Sequence, residues 1–228
     1  MSEKSIQCVV MFADVVGSTA IYEKMGDTEA RDRISKALNT LIAICRRHKG
    51  HLIKTIGDEV LVYFLDVDLS LMAAQAIQET MEDDRSPETV GISIKIGMHY
   101  GPAILDNNDI FGDTVNVAAR IASISKSRQI LYSGILANRI HSADLNAQTR
   151  KFDRVDFKGK ENAFDIYQLL WEEDGEVTDM QTGEIFALPA KIEQFKELLL
   201  TYQSKTLRLN LSSKPVVFGR DKICDVLI

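Results

Sequence analysis

His51-Leu-Ile-Lys-Thr-Ile-Gly-Asp-Glu-Val-Leu-Val-Tyr-Phe-Leu65 is the stretch on which the fold turns. Runs rich in β-branched and apolar residues flank Gly57-Asp58, an Asp-containing turn of the kind that joins antiparallel strands, so the stretch reads as a hairpin. Upstream, Ile34, Leu38, Leu41, Ile42 and Cys45 recur at helical spacing, which predicts a long helix over Asp27–Lys49 that Gly50 ends. Downstream, Leu69, Met72, Ala73, Ala76 and Ile77 predict a second helix over Asp66–Asp84, followed by a polar break at Asp83–Pro87. Ile6–Phe12 is a continuous apolar run, as in a strand buried on both faces. Gly91–Gly101 alternates and reads as a strand ending at Gly101-Pro102. The order β-α-β-β-α-β is that of a ferredoxin-like split sandwich, an α+β fold.

Further along, Asp109-Ile-Phe-Gly-Asp-Thr-Val-Asn-Val-Ala-Ala-Arg120 reads as a loop feeding a helix, with Gly112 and Asp113 as turn and cap. Asn116 and Arg120 stand at i and i+4 and so share one face, while Val115, Val117, Ala118 and Ile121 supply the buried side. A short strand is expected over Arg128–Ser133, a helix over Ile135–Leu145 and strand-rich chain over Lys151–Trp171, containing the basic turn Phe157-Lys-Gly-Lys-Glu161.

Composition narrows the functions. The 228 residues are 45% apolar, enough for one good-sized domain with an appendage. A net charge of -6 lacks the basic footprint of a nucleic-acid binder. Cys8, Cys45 and Cys224 form neither a metal-ligand pattern nor a disulfide framework, as expected in a reducing cytoplasm. No run reaches the length of a membrane span, and the N-terminus lacks a signal-peptide pattern.

Single features leave alternatives open. Phe12-Ala-Asp14 ends a strand and is followed by a Gly17-Ser18-Thr19 turn into a helix. A carboxylate with helix-start amides suits a hard cation and phosphate, but equally a capped turn. Asp58 alone is turn chemistry, Lys54 alone a solvated strand lysine, and His99 reads first as a structural histidine. Taken in order along 6–170, however, Phe12-Ala-Asp14 with Ser18-Thr19, Lys54-Thr-Ile-Gly-Asp58, Asp109 through Asn116 and Arg120, and Lys158-Gly-Lys160 resemble a class III nucleotidyl cyclase catalytic domain.

That resemblance implies roles. Asp14, Val15 and Asp58 become metal-binding positions for two divalent cations, Mg²⁺ or Mn²⁺. Lys54 and Asp109 become the adenine-selecting pair, donating to the ring N1 and accepting from the exocyclic amine; guanine presents the opposite pattern at both places. Ser18 and Thr19 fall near the phosphates. Asn116 would orient the ribose, Arg120 would stabilise charge on the α-phosphate, Lys158 would bind triphosphate, and Arg128 would be a second phosphate-binding arginine. The implied reaction converts ATP to 3′,5′-cyclic AMP and pyrophosphate at sites shared across a head-to-tail homodimer. A guanylate cyclase is disfavoured by Lys54 with Asp109. The alternative is a catalytically silent or activator-dependent nucleotide-binding regulatory partner; a silent one would normally show a lost position, and none is visibly lost, while an intact set is also what an activator-dependent one would carry. A polymerase-like enzyme shares the split sheet but leaves Asn116, Arg120 and Lys158 unexplained.

The expected domains are a catalytic domain over 1–171, an acidic linker with a short helix over 172–205, and a β-rich segment over 206–228. Glu172–Glu184 is acidic, and Lys191–Tyr202 places Ile192, Phe195, Leu198 and Leu199 on one helical side. Phe218-Gly-Arg220 with Cys224-Asp225-Val-Leu-Ile228 resembles the opening of a forkhead-associated domain, which implies a phosphothreonine protein partner contacted through Arg220.

Overall fold

The computed structural model describes residues 4–82, 91–156 and 163–172, and the backbone of 198–202, 205–209, 218–219 and 226–227. The chain divides into a unit of Met1–Glu176 and a unit of Val177–Ile228.

The first unit opens with strand β1 (Lys4–Val15), a short helix α1 (Ser18–Met25) and the long helix α2 (Asp27–Arg47). The hairpin follows as β2 (His51–Ile56) and β3 (Glu59–Phe64), with Gly57 at φ 64 in the connecting turn, a conformation open to glycine. Helix α3 (Val67–Glu82) leads to β4 (Ile94–Asp106). In the sheet β1 lies between β3 and β4, with β2 outside β3, so the two β-α-β halves interleave as the α+β reading expects.

Both faces of β1 are buried. Val9, Met11, Ala13 and Val15 pack with Leu38, Leu41, Leu71 and Ile77 of α2 and α3. Cys8, Val10 and Phe12 face the other way, against Leu61, Ala118 and Ala122. That second face is covered by helix α4 (Asp113–Ile124), reached through the three-residue strand β5 (Asp109–Phe111). The sheet continues beyond β4 as β6 (Ile130–Ser133), β8 (Phe164–Leu169) and β7 (Thr149–Val155), with β6 parallel to β4.

Three local expectations are corrected. The strand expected to stop at Gly101 runs on to Asp106, because Pro102 falls where β4 has no second neighbour: β6 pairs only as far as Met98, and β5 begins at Ile104. Asp109–Phe111 is not loop but strand, turned back on β4 by Asn107 and Asn108, both with positive φ (48 and 62). In place of one helix over Ile135–Leu145 there are α5 (Gly134–Ala137) and α6 (Ala143–Ala147). Ser142 caps the second through its side chain, and the Asp68 carboxylate accepts from the His141 and Ser142 amides, both at 3.0 Å.

In the second unit, β9 (Leu198–Tyr202) pairs antiparallel with β10 (Lys205–Leu209), and β11 (Phe218–Gly219) pairs parallel with β12 (Val226–Leu227). Leu198–Tyr202 was expected to close a short helix. Its apolar run is too short for periodicity to separate helix from strand, and a partner strand lies just beyond. Arg220, Cys224 and Asp225 lie outside the described residues. No helix among the described residues is long and apolar enough to cross a membrane.

The seat of α4 on β4 is unusually close. A Cβ on Gly97 would lie 2.1 Å from the Ala122 backbone nitrogen, and one on Gly101 would lie 2.5 Å from Thr114 Oγ1. Gly97→Ala should therefore destabilise the unit by about 3 kcal/mol, at the upper end of overpacking costs. Gly17→Ala, with open space but a φ of 70, should cost about 1 kcal/mol. Thermal unfolding of both variants checks the order; equal melting would refute the close seat.

Candidate active site

The end of β1 gathers acids. Asp14 pairs across the sheet with Glu59 on β3 and with Lys95 on β4, so all three project from one face. Lys95 Nζ lies 3.0 Å from Asp14 Oδ2, both side chains about a quarter exposed (24% and 23%). The Val15 amide donates to the Asp58 carbonyl at 3.4 Å, which brings the hairpin turn to the same strand end. Val15 is buried and its side chain is hydrocarbon, so the ligand it can offer is its backbone carbonyl. Burial first, then the charges of Asp14 and Asp58, raise the Glu59 carboxyl above the usual range, with Lys95 opposing. The acids thus outnumber the lysine.

This donor set fits a hard divalent cation. Among the described residues no cluster of three or more ligating side chains forms a ready cage. Two carboxylates with a backbone carbonyl suit Mg²⁺, which binds through one or two carboxylates and completes its shell with water and substrate phosphates. Beside them Gly17 adopts φ 70 and no side chain caps α1, leaving the amides at Ser18 and Thr19 at a helix start.

The second group lies on the same sheet face. The β4–β5 ribbon curls over β1 and β3, placing Ile110 beside Leu61 and Phe12. Asp109 thereby reaches Lys54 on β2, with Nζ–Oδ2 at 2.6 Å. Its other oxygen accepts from the Ile110 amide at 2.9 Å. The Lys54 hydrogen bond, then the Ile110 amide, holds the Asp109 carboxyl below its ordinary value.

Helix α4 carries the third group. Val117, Ala118, Ile121 and Ala122 are buried, Thr114 Oγ1 donates to the Pro102 carbonyl at 2.6 Å, and Asn116 and Arg120 are left on the outer side. Asn116 is exposed and Arg120 half-buried.

Lys158, with Lys160, lies outside the described residues. The Arg128 guanidinium pairs with Glu82 and Glu172 and lies 5.7 Å from the centroid of the Trp171 ring. Its backbone is left-handed (φ 66), and charge alone gave no sign of this cluster. His99 is buried, with Nδ1 2.6 Å from Ser133 Oγ and its ring edge-on to Phe164, as a structural histidine should be. The residues that sequence reading passed over are Lys95 and Glu59. The available signal was a lysine in the otherwise apolar Ile94-Lys-Ile-Gly97, at a position facing an acid only once strand register is known.

Residues 1–170 match the family described as the adenylate and guanylate cyclase catalytic domain, and the chain belongs to that family. An adenylate cyclase from Streptomyces coelicolor is 31% identical over 132 residues, covering 58% of this chain and 33% of that relative. The chain therefore matches about a third of that protein's length. Among solved structures, the catalytic core of a rhodopsin-guanylyl cyclase with converted specificity, in complex with ATPalphaS, aligns with a TM-score of 0.65 at 25% identity, covering 74% of this chain and 98% of that one. The adenylyl cyclase CyaB from P. aeruginosa aligns at 0.66 and 22% identity, covering 74% and 96%, a likeness of fold.

The Lys54–Asp109 pair has a pH signature. A depressed folded-state pKa means that the stability it confers is present above the unfolded value and is lost as pH falls through the folded one. Lys54→Met should move the Asp109 midpoint back up toward about 3.9. Carboxyl-carbon NMR titration of both forms measures this; an unmoved midpoint would mean that the pair does not persist in solution.

Proposed function

We propose that this protein is an adenylate cyclase, converting ATP to 3′,5′-cyclic AMP and pyrophosphate. The observation that carries the reading is the Lys54–Asp109 pair at 2.6 Å, an ammonium and a carboxylate held side by side at one sheet face. Lys54 can donate to the adenine N1 while Asp109 accepts from the exocyclic amine. Guanine offers a protonated N1 and a carbonyl there, leaving both groups mispaired, and unpaired polar groups reject a wrong substrate strongly.

In this mechanism the ribose O3′ forms a bond to the α-phosphorus, the bond from that phosphorus to the pyrophosphate oxygen breaks, and the O3′ proton passes to solvent. Asp14, Asp58 and the Val15 carbonyl would hold the two divalent cations. When bound, these supply Lewis acidity at the hydroxyl and neutralise the leaving group. Asn116 fixes the ribose, and Arg120 meets negative charge as it develops on the α-phosphate. Ser18 and Thr19 present amides to phosphate, and Lys158 adds a cation. Lys95, one of the partners of Asp14, lies at the mouth of the same group. These groups belong to complementary halves of a head-to-tail homodimer, so that each site draws its metal ligands from one copy and its Lys54–Asp109 pair, Asn116 and Arg120 from the other.

Incubation with ATP or GTP and Mg²⁺ or Mn²⁺ tests the reading. The expected result is cyclic AMP from ATP, no product with Asp58→Ala, and a fall of about 10²–10³-fold in kcat with Arg120→Ala. Cyclic GMP as the main product would overturn the purine assignment. Product undiminished in Asp58→Ala would overturn the metal assignment.

A further inference from the structure

Lys95 is aimed at Asp14 by the turn that carries Arg128. The residues on either side of it are held by that turn, between α4 and β6. The Arg128 amide donates to the Ile94 carbonyl at 2.9 Å, and the Ile96 amide donates to the Gln129 carbonyl at 2.9 Å. Gln78 adds a second donor to the Ile94 carbonyl at 3.1 Å, and the Ser125 hydroxyl lies between the Ile121 carbonyl at 2.8 Å and the Ile96 carbonyl at 3.1 Å. The backbone flanks of Lys95 are therefore fixed, and the direction of its Cα–Cβ bond with them.

The turn itself depends on Arg128. A non-glycine residue at φ 66 is uncommon and persists only where its surroundings hold it. Here Trp171, only 8% exposed, donates from Nε1 to the Arg128 carbonyl at 2.9 Å and underlies the guanidinium. Glu82, from the end of α3, and Glu172 pair with the guanidinium from α3 and from the segment after β8. A planar fork can engage two carboxylates and a ring face together, which a lysine cannot.

We infer that Arg128 is a positioning residue for Lys95, and that Trp171–Glu172, where the chain leaves the sheet, sets how firmly Lys95 holds Asp14 against an entering cation. The inference rests on the metal reading of Asp14 and Asp58 above. It gives Trp171–Glu172, just after β8, a route to the site through four linked places: Glu172, Arg128, the β4 backbone and Lys95.

The test uses Mn²⁺ alone and the full 228-residue chain, with bound Mn²⁺ read by electron paramagnetic resonance rather than by turnover. Lys95→Ala should tighten Mn²⁺ binding roughly two- to fivefold, the scale of one partly exposed ion pair. Arg128→Ala should also tighten it, by a smaller factor, but should have no effect in a Lys95→Ala background. Glu172→Gln, which removes one ion pair and leaves the fold's packing intact, should give the same pattern and serves if Arg128→Ala does not fold. An equal factor with and without Lys95, or no change in either variant, overturns the positioning role. Wild-type Mn²⁺ binding that is unaffected by Asp58→Ala would instead sink the metal reading. A second readout is the emission of Trp171, the chain's one tryptophan, during Mg²⁺ titration: it should shift in the wild type and not in Lys95→Ala.

Discussion

Twelve consecutive pairings lock β1 to β4, from Lys4 opposite Leu105 to Val15 opposite Ile94, and the site's geometry is a consequence of that register. Strand side chains alternate between faces, so a slip of one residue would move Asp14 to the face covered by α2 and α3 and carry Phe12 out with it. Both faces of β1 are packed, which makes such a slip costly: each fully buried large apolar side chain contributes about 1.5–3 kcal/mol. The row Glu59, Asp14, Lys95 is thus placed by hydrophobic burial several residues away. The charged groups themselves do little to hold it.

The same economy places α4. Gly97 lets the helix backbone rest on β4, Gly101 makes room for the Thr114 side chain, and Ala118 and Ala122 are small enough to complete the contact. A helix seated that closely cannot rotate about its axis without a clash, so Asn116 and Arg120 keep a fixed outlook. Preorganised donors are what phosphoryl transfer asks of a protein, since position and charge supply most of the catalysis. The ribbon of β4 and β5 does the equivalent for Asp109, with Ile110 as its apolar anchor.

Much of this was legible in the sequence, for physical reasons. The hairpin around Gly57-Asp58 and the helices α2 and α3 carry strong periodicity and turn chemistry, and their observed ends fall within two residues of expectation. Lys54 and Asp109 were named together only through the family resemblance, and the structure does bring them into contact. What escaped depends on long-range pairing. Lys95 and Glu59 acquire meaning only from the register with Asp14. β5 has three residues and an Asn-Asn turn, too little for a pattern. Pro102 argued for a strand end because the gap beside it, between β6 and β5, is a property of the assembled sheet. The partners of Arg128, namely Glu82, Trp171 and Glu172, come from distant segments and could not be read from its neighbours in the chain.

In the proposed reading one chain carries two complementary half-sites, Asp14 with Asp58 and the Asn116–Arg120 face, which meet across two copies. Mixing Asp14→Ala chains with Arg120→Ala chains measures it directly. Each should keep at most about a hundredth of wild-type activity alone, and the mixture should recover roughly a quarter of wild-type cyclic AMP production, because random pairing makes half the dimers mixed and each mixed dimer has one intact site. A mixture as inactive as its components would contradict the shared site.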